Sequence, residues 1–306
     1  MAITLGSNQY GKAEVRVVTV DRSTPRHVLR DLNVSCALRG DFTAVHLDGD
    51  NAHVLATDTQ KNTVYAFARD GIGEIEEFAL RLARHFGGAY DWLTGARVEI
   101  QEYGWDRIAV GGSPHDHAFV RAGNEVRTTV VTVDGADAHV VSGLTGLVVL
   151  KTTESGFAGF PRDRFTTLAE TDDRILATAV TARWRYTATT IGSAAQESAV
   201  SDYAAAFAGI RSALLETFAV GYSSALQQTL FAMGHSVLEA HPQVAEIRLS
   251  MPNKHHFLSD LAPYGLDNPG GVYHAADRPY GLIEGSVVRD DVPAAEVAWR
   301  ATPGFC

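Results

Sequence analysis

Hydrophobic and polar positions alternate with a period of two in EVRVVTVD, from Glu14 to Asp21, the pattern of a half-buried strand. On that period Lys12, Glu14 and Arg16 share one face and Ala13, Val15 and Val17 the other. A second β-rich run extends from His27 to Leu47. The spacing then becomes helical. Asp58–Arg69 predicts a short helix. Glu74–Phe86 predicts a clearer one, with Ile75, Phe78, Ala79, Leu82 and Phe86 in helical register and Gly87-Gly88 as its stop. Strands resume at Arg97–Tyr103, His117–Arg121 and Glu125–Asp134.

The same order follows again. Strands are expected at His139–Lys151 and Thr178–Thr189, helices at Asp202–Ala219 and Ser224–His241, and a strand at Val244–Met251 that Pro252 should end. Strand, strand, helix, helix, strand, strand thus occurs twice, with a boundary near residues 137–141. The fold class is α+β, with modules at residues 1–138 and 139–306. Two helices would cover one face of each antiparallel sheet. The second, charged face would be satisfied if several sheets closed into a barrel with a wet interior, which would also remove the exposed edges. Such closure requires an oligomer.

Composition narrows the function. A chain of 306 residues with 45% hydrophobic and 20% charged residues can bury a substantial core. A net charge of −10 argues against a nucleic-acid surface. With only Cys36 and Cys306, a disulfide framework is not expected and a reducing compartment is. The N-terminus lacks the features of a signal peptide, no apolar run approaches a membrane span, and Gly304-Phe305-Cys306 is not a peroxisomal tripeptide, so a cytoplasmic location is expected.

Four stretches hold candidate chemistry. Thr57-x-x-Gln60 has the form of a capping box, which puts Thr57 at a helix start, where free N–H groups suit an anion. From periodicity alone, the plainer reading is that Thr57 only caps its helix and Lys12 is a solvated strand lysine. In FAGFPRDRFTTLAETDDR, Phe157–Arg174, an arginine at the foot of a strand beside an aromatic ring could clamp a planar anion, although core phenylalanines and surface arginines would read the same. Ser224-x-x-Gln227 is another helix start, where Gln227 could pair with a heterocycle's amide edge or simply cap. Pro252-Asn253-Lys254-His255-His256 sets histidines in a loop after a strand, as proton carriers or structural groups. His115-Asp116-His117 raises the question of a metal, but no thiol lies nearby and no HExxH spacing occurs. There is no GxGxxG, Walker loop or GxSxG.

Together and in this order, Tyr10-Gly11-Lys12, ATDTQKNT (Ala56–Thr63), Pro114–His117, Phe157–Leu176, Leu226–Thr229 and MPNKHHF (Met251–Phe257) resemble the urate oxidase (uricase) family over nearly the whole chain. The resemblance implies two tunnelling-fold modules per chain and a barrel within a homotetramer. It also implies oxidation of urate by O2 with neither metal nor organic cofactor. Arg174 and Gln227 would grip the pyrimidinedione edge, Phe157 would stack on the purine, Leu168 would line the pocket, and the Leu226 N–H would hold a carbonyl oxygen. Thr57 and the backbone of Asp58, from a neighbouring subunit, would hold the five-membered ring. Lys12, Thr57 and His255 would relay protons, and Asn253 with Thr57 would hold oxygen or water. The family often has Val where Leu226 stands. Gln228 beside Gln227 leaves the register open by one residue, and Thr229-Leu230 favours Gln227. The alternatives are a pterin-type enzyme of the same architecture, a cyclohydrolase or aldolase, and an inactive ligand-binding relative.

Overall fold

Among the described residues, eight strands form one antiparallel sheet in simple sequence order, β1 to β8. The computed structural model describes residues 2–187, 200 and 202–300. The chain runs β1 (Tyr10–Asp21), β2 (Val28–Gly40), a short α1 (Thr43–Leu47), α2 (Thr57–Arg69), α3 (Ile75–Gly87), β3 (Leu93–Val110) and β4 (Ser113–Asp134). It continues through β5 (Asp137–Lys151), β6 (Leu176–Tyr186), α4 (Tyr203–Val220), α5 (Leu226–Ala240), β7 (Val244–Leu258), β8 (Tyr273–Val288) and α6 (Glu296–Trp299). The expected order of strand pairs and helix pairs is present in both halves.

Particular boundaries differ from the sequence reading. The last part of the β-rich run His27–Leu47 is helical, because the strand ends at Gly40 and Thr43–Leu47 turns as α1. His117–Arg121 and Glu125–Asp134 are parts of one 22-residue strand. Pro252 does not end its strand: β7 continues to Leu258. The β6–β7 ladder pairs Thr181 with Ser250 and Thr178 with Asn253, with no pair between, while on the other side Pro252 pairs with Leu282 of β8, so the strand runs on through the proline. The end of the expected strand Thr178–Thr189 lies outside the described residues. None of the described helices is long and apolar enough to cross a membrane.

All the long helices pack on one face of the sheet. Leu32, Val34, Ala96, Val98 and Ile100 meet Ile75, Phe78 and Leu82 there, and Val180, Ile247 and Leu249 belong to the same core as Ile210, Leu214, Met233 and Val237. The opposite face carries Arg97 with Glu99 at 3.0 Å and Arg185 with Glu246 at 3.7 Å. On that face α6 packs Trp299 against Val130 and Val141, with the indole N–H donating to Glu246 at 3.0 Å. Cys36 is a free thiol in the core, and burial pushes its pKa up to about 12.

The two halves are joined by a buried ion network. Arg127 on β4 donates to Glu74 at 2.7 Å and to Glu76 at 2.8 Å, and the Ser142 hydroxyl on β5 donates to Glu76 at 2.6 Å. Burial raises the Glu76 pKa, opposed by Arg127 and Ser142. Arg127→Leu would strand a buried carboxylate, so it should cost about 3–5 kcal/mol of stability. Because Glu76 would then take up a proton more readily, the deficit should shrink as pH falls. Denaturant unfolding of both proteins across pH checks this, and equal stability at neutral pH would refute it.

Candidate active site

The site residues fall into two groups, at opposite ends of the sheet. The first is built on β1 and α2. Gly11 lies so close to β2 that a Cβ would meet the Cys36 carbonyl oxygen at 1.8 Å, so only glycine permits this pairing. Next to it the register shifts between Lys12 and Val15, and Glu14 takes a positive φ of 55°. Lys12 pairs with Cys36 and Val15 with Val34, and directly paired residues share a face. The bulge therefore turns Lys12 onto the helix face. Simple alternation had put Lys12 opposite Val15, and the extra residue overturns that, as bulges beside sites commonly re-aim a side chain.

The start of α2 is fixed through one carbonyl. The Leu55 oxygen accepts from the Tyr10 hydroxyl at 3.1 Å and from the Gln60 amide at 3.2 Å, and Tyr10 packs edge-on against Phe42 at 4.7 Å. Thr57 is not a capping residue. Ala56 holds the N-cap position without a side-chain bond, and Gln60 reaches back to Leu55 instead. The first helical bond runs from Gln60 N–H to the Ala56 oxygen, leaving the earlier N–H groups of the turn outside the ladder. The Asp58 carboxylate turns to Lys61 at 2.5 Å and Asn62 at 3.0 Å. Lys61 is the main cause of its lowered pKa, with Lys12 contributing.

The second group gathers around the start of α5. Ser155 and Ser223 form a parallel bridge, and the Gly156 N–H donates to the Ser223 oxygen at 2.8 Å. Phe157 and Thr171 exchange backbone bonds at 2.7 and 3.1 Å, and the Arg174 N–H donates to the Ser155 oxygen at 2.7 Å. These links bring the loop that carries Phe157 and Arg174 against the helix that carries Leu226 and Gln227. The Arg174 guanidinium lies 5.3 Å from the Phe157 ring centroid. Its Nε is buried without a protein acceptor, which leaves a donor for a ligand.

The order of the two glutamines follows from their bonds. Gln228 accepts from the Ser224 N–H at 3.0 Å; this is the capping interaction foreseen for Gln227. Gln227 is exposed in the first turn, beside the buried Leu226. The first bond of α5 runs from Thr229 N–H to the Ala225 oxygen, so the Leu226 N–H precedes the ladder.

Asn253 and His255 lie within β7 rather than in a loop. Asn253 pairs with Thr178 on one side and Gly281 on the other, and a register shift separates it from His255. The His255 pKa is lowered, first by burial and then by Arg174 and His256, which places Arg174 and His255 in one electrostatic environment. Leu168 is 50% exposed on the loop between Phe157 and Arg174. The His117 ring contacts those of both His115 and His27, and Arg107 holds the His115, Asp116 and His27 carbonyls. Among the described residues no three His, Cys, Asp or Glu side chains converge as a ligand set.

A pH dependence follows from His255. Its folded pKa lies below its unfolded one, so on acidification the unfolded chain takes up the proton first, and this residue's contribution to stability falls as pH drops below about 6.5. If neutral His255 is needed for turnover, the acid limb of kcat/KM should lie below that value. An acid limb clearly above 6.5 would contradict this assignment.

Residues missed by the sequence reading are Tyr10 and Gln60 as supports of Leu55, Gln228 as the cap, and the Ser155–Ser223 link. Tyr10 and Gln60 stand within the noted motifs, but nothing in their spacing reveals a shared carbonyl.

The fold and these two groups define an antiparallel α+β protein of tandem helix-backed modules, with two helix starts and an arginine–phenylalanine pair suited to a planar anion. A family model described as Uricase matches residues 8–132 and 140–284. The uricase of Arthrobacter globiformis is 55% identical over 304 residues, covering 99% of this chain and 96% of the relative. That of Dictyostelium discoideum is 38% identical, covering 94% and 98%. The crystal structure of the Arthrobacter globiformis uricase matches with a TM-score of 0.88 over 96% of this chain and 98% of that one. A Bacillus fastidious uricase at 25% identity matches with a TM-score of 0.79, covering 92% and 94%. The chain belongs to the uricase family.

Proposed function

We propose that this chain oxidises urate with O2 and water to 5-hydroxyisourate and hydrogen peroxide, at a site completed by two subunits of a homotetramer and without metal or organic cofactor. The observation that carries the site assignment is Arg174, a guanidinium with an unpartnered buried Nε beside the Phe157 ring and the start of α5. Urate is a planar anion with donors and acceptors around its rim, which a guanidinium, the Gln227 amide and the Leu226 N–H complement. Phe157 stacks on the ring, and Leu168 closes the loop side.

β1 and β7 are six strand steps apart, roughly 29 Å along the sheet at the usual strand spacing. Among the described residues no hydrogen bond or ion pair joins Lys12, Thr57 or Asp58 to Arg174, Asn253 or His255. In this reading the free edges β1 and β8 meet between copies, so that Thr57 and the Asp58 backbone of one chain complete the pocket of another. The two tandem modules divide at the β4–β5 turn, and the protein works in the cytoplasm.

O2 reacts slowly with closed-shell molecules because spin must change, and an electron-rich substrate that releases one electron avoids this barrier. Lys12 takes a proton through Thr57, and the resulting urate dianion reduces O2. Recombination forms a C5 hydroperoxide, and water held by Asn253 and Thr57 and activated by His255 replaces the peroxide. One urate, one O2 and one water thus give one hydroxyisourate and one H2O2. The test follows urate absorbance, oxygen uptake and peroxide with chelator-treated protein in air. Matched 1:1:1 changes support the proposal. Activity only after metal is restored would sink the cofactor-free mechanism, and no activity under either condition would sink urate oxidation itself.

A further inference from the structure

We propose that Phe160 is a positioning residue for urate binding, holding the Phe157 ring in the plane on which the purine stacks. The inference rests on Phe157 being that stacking platform.

The Phe157 backbone is fixed by its two bonds to Thr171, at 2.7 and 3.1 Å, but these do not orient the ring. An unsupported phenylalanine in a polar loop samples several staggered rotamers, and each wrong one removes the platform. Two residues on, Gly159 has φ +76° with no atom within 4 Å of where a Cβ would stand. Glycine is used there for its left-handed backbone, not for lack of space. The Glu170 carboxylate accepts from the Gly159 N–H at 3.1 Å and anchors this turn to the returning side of the loop.

The turn folds residue 160 back onto residue 157. The Phe160 and Phe157 rings lie stacked, with centroids 5.0 Å apart and planes 14° from parallel. Arg162 lies 5.9 Å from the Phe160 centroid and Arg174 lies 5.3 Å from that of Phe157. Each ring thus has a guanidinium beside it. Arg174 is the proposed urate clamp, so a Phe157 ring braced on one face by Phe160 keeps its place relative to the clamp and leaves its other face for the purine. Both phenylalanines are half-buried, and the sequence around Phe160 is otherwise exposed from Pro161 to Phe165.

A platform that contacts the flat face of urate throughout the reaction contributes equally to the bound substrate and the transition state, so losing its support raises KM and spares kcat. Phe160→Leu keeps much of the volume but removes the ring, and Phe160→Tyr keeps the ring. The expected result for Phe160→Leu is a KM for urate about 3- to 10-fold higher, in the range an aromatic pair supplies, with kcat within about twofold. Xanthine, which presents the same pyrimidinedione edge, should show a proportional loss of affinity by direct titration. Phe160→Tyr should restore both. An unchanged KM in Phe160→Leu, alongside a large KM increase in Phe157→Leu, would overturn the brace and leave the platform standing. An unchanged KM in Phe157→Leu would overturn the platform itself. A fall in kcat and melting temperature at constant KM would assign Phe160 to folding alone.

Discussion

Lys12→Met is expected to lower kcat at least ~100-fold while urate affinity stays within a few-fold, because it removes acid–base help and no contact to the substrate rim. The structural basis is the bulge after Lys12. Without the extra residue between Lys12 and Val15, the lysine would follow simple alternation onto the opposite face of the sheet. With it, Lys12 is on the helix face and close enough to contribute to the lowered pKa of Asp58 in the first turn of α2. Thr57 is not used as a cap and can pass a proton from substrate to lysine. The check is stopped-flow turnover together with xanthine titration. A variant that keeps full turnover would remove Lys12 from the mechanism.

The second large effect is expected at the other end of the sheet. Arg174→Gln should weaken urate binding by about 2–5 kcal/mol, roughly 30-fold or more in KM, since it deletes one partner of a desolvated charge pair. It should also shift the acid limb of the pH profile upward, because Arg174 is one cause of the lowered His255 pKa. Less positive charge nearby makes the imidazolium easier to form. A KM within twofold of the parent would mean that urate is gripped elsewhere.

The repeat of strand pairs and helix pairs was legible in the sequence because it rests on period. The two-residue alternation of β1 and the helical spacing of Ile75, Phe78 and Leu82 report burial directly. Register was less legible. One extra residue at Glu14 reversed the face of Lys12, and its positive φ has no signature in a non-glycine residue. Pro252 misled because its cost depends on whether the ladder needs an N–H there, which is set by the pairing with both neighbouring strands and not by local sequence. Both capping boxes misled in the same way. Gln60 and Gln228 do stabilise helix starts, but through Leu55 and Ser224, which releases Thr57 and Gln227. The stretches holding most candidate residues stood out by pattern, as helix starts, an arginine beside an aromatic and histidines after a strand. Their roles and their grouping came from resemblance, since a lysine, a threonine and a histidine far apart in sequence carry no periodic signal.

The distance between the two groups decides how the account is tested. Lys12→Met and Arg174→Gln chains, each nearly inactive alone under subsaturating urate, should be co-expressed and the mixed oligomers assayed. If each site draws Lys12 from one chain and Arg174 from another, random mixing restores about one quarter of the parental sites, and activity returns far above the sum of the two variants. If both residues of each site come from a single chain, every site in the mixture carries one defect and no activity returns, which would contradict the shared site.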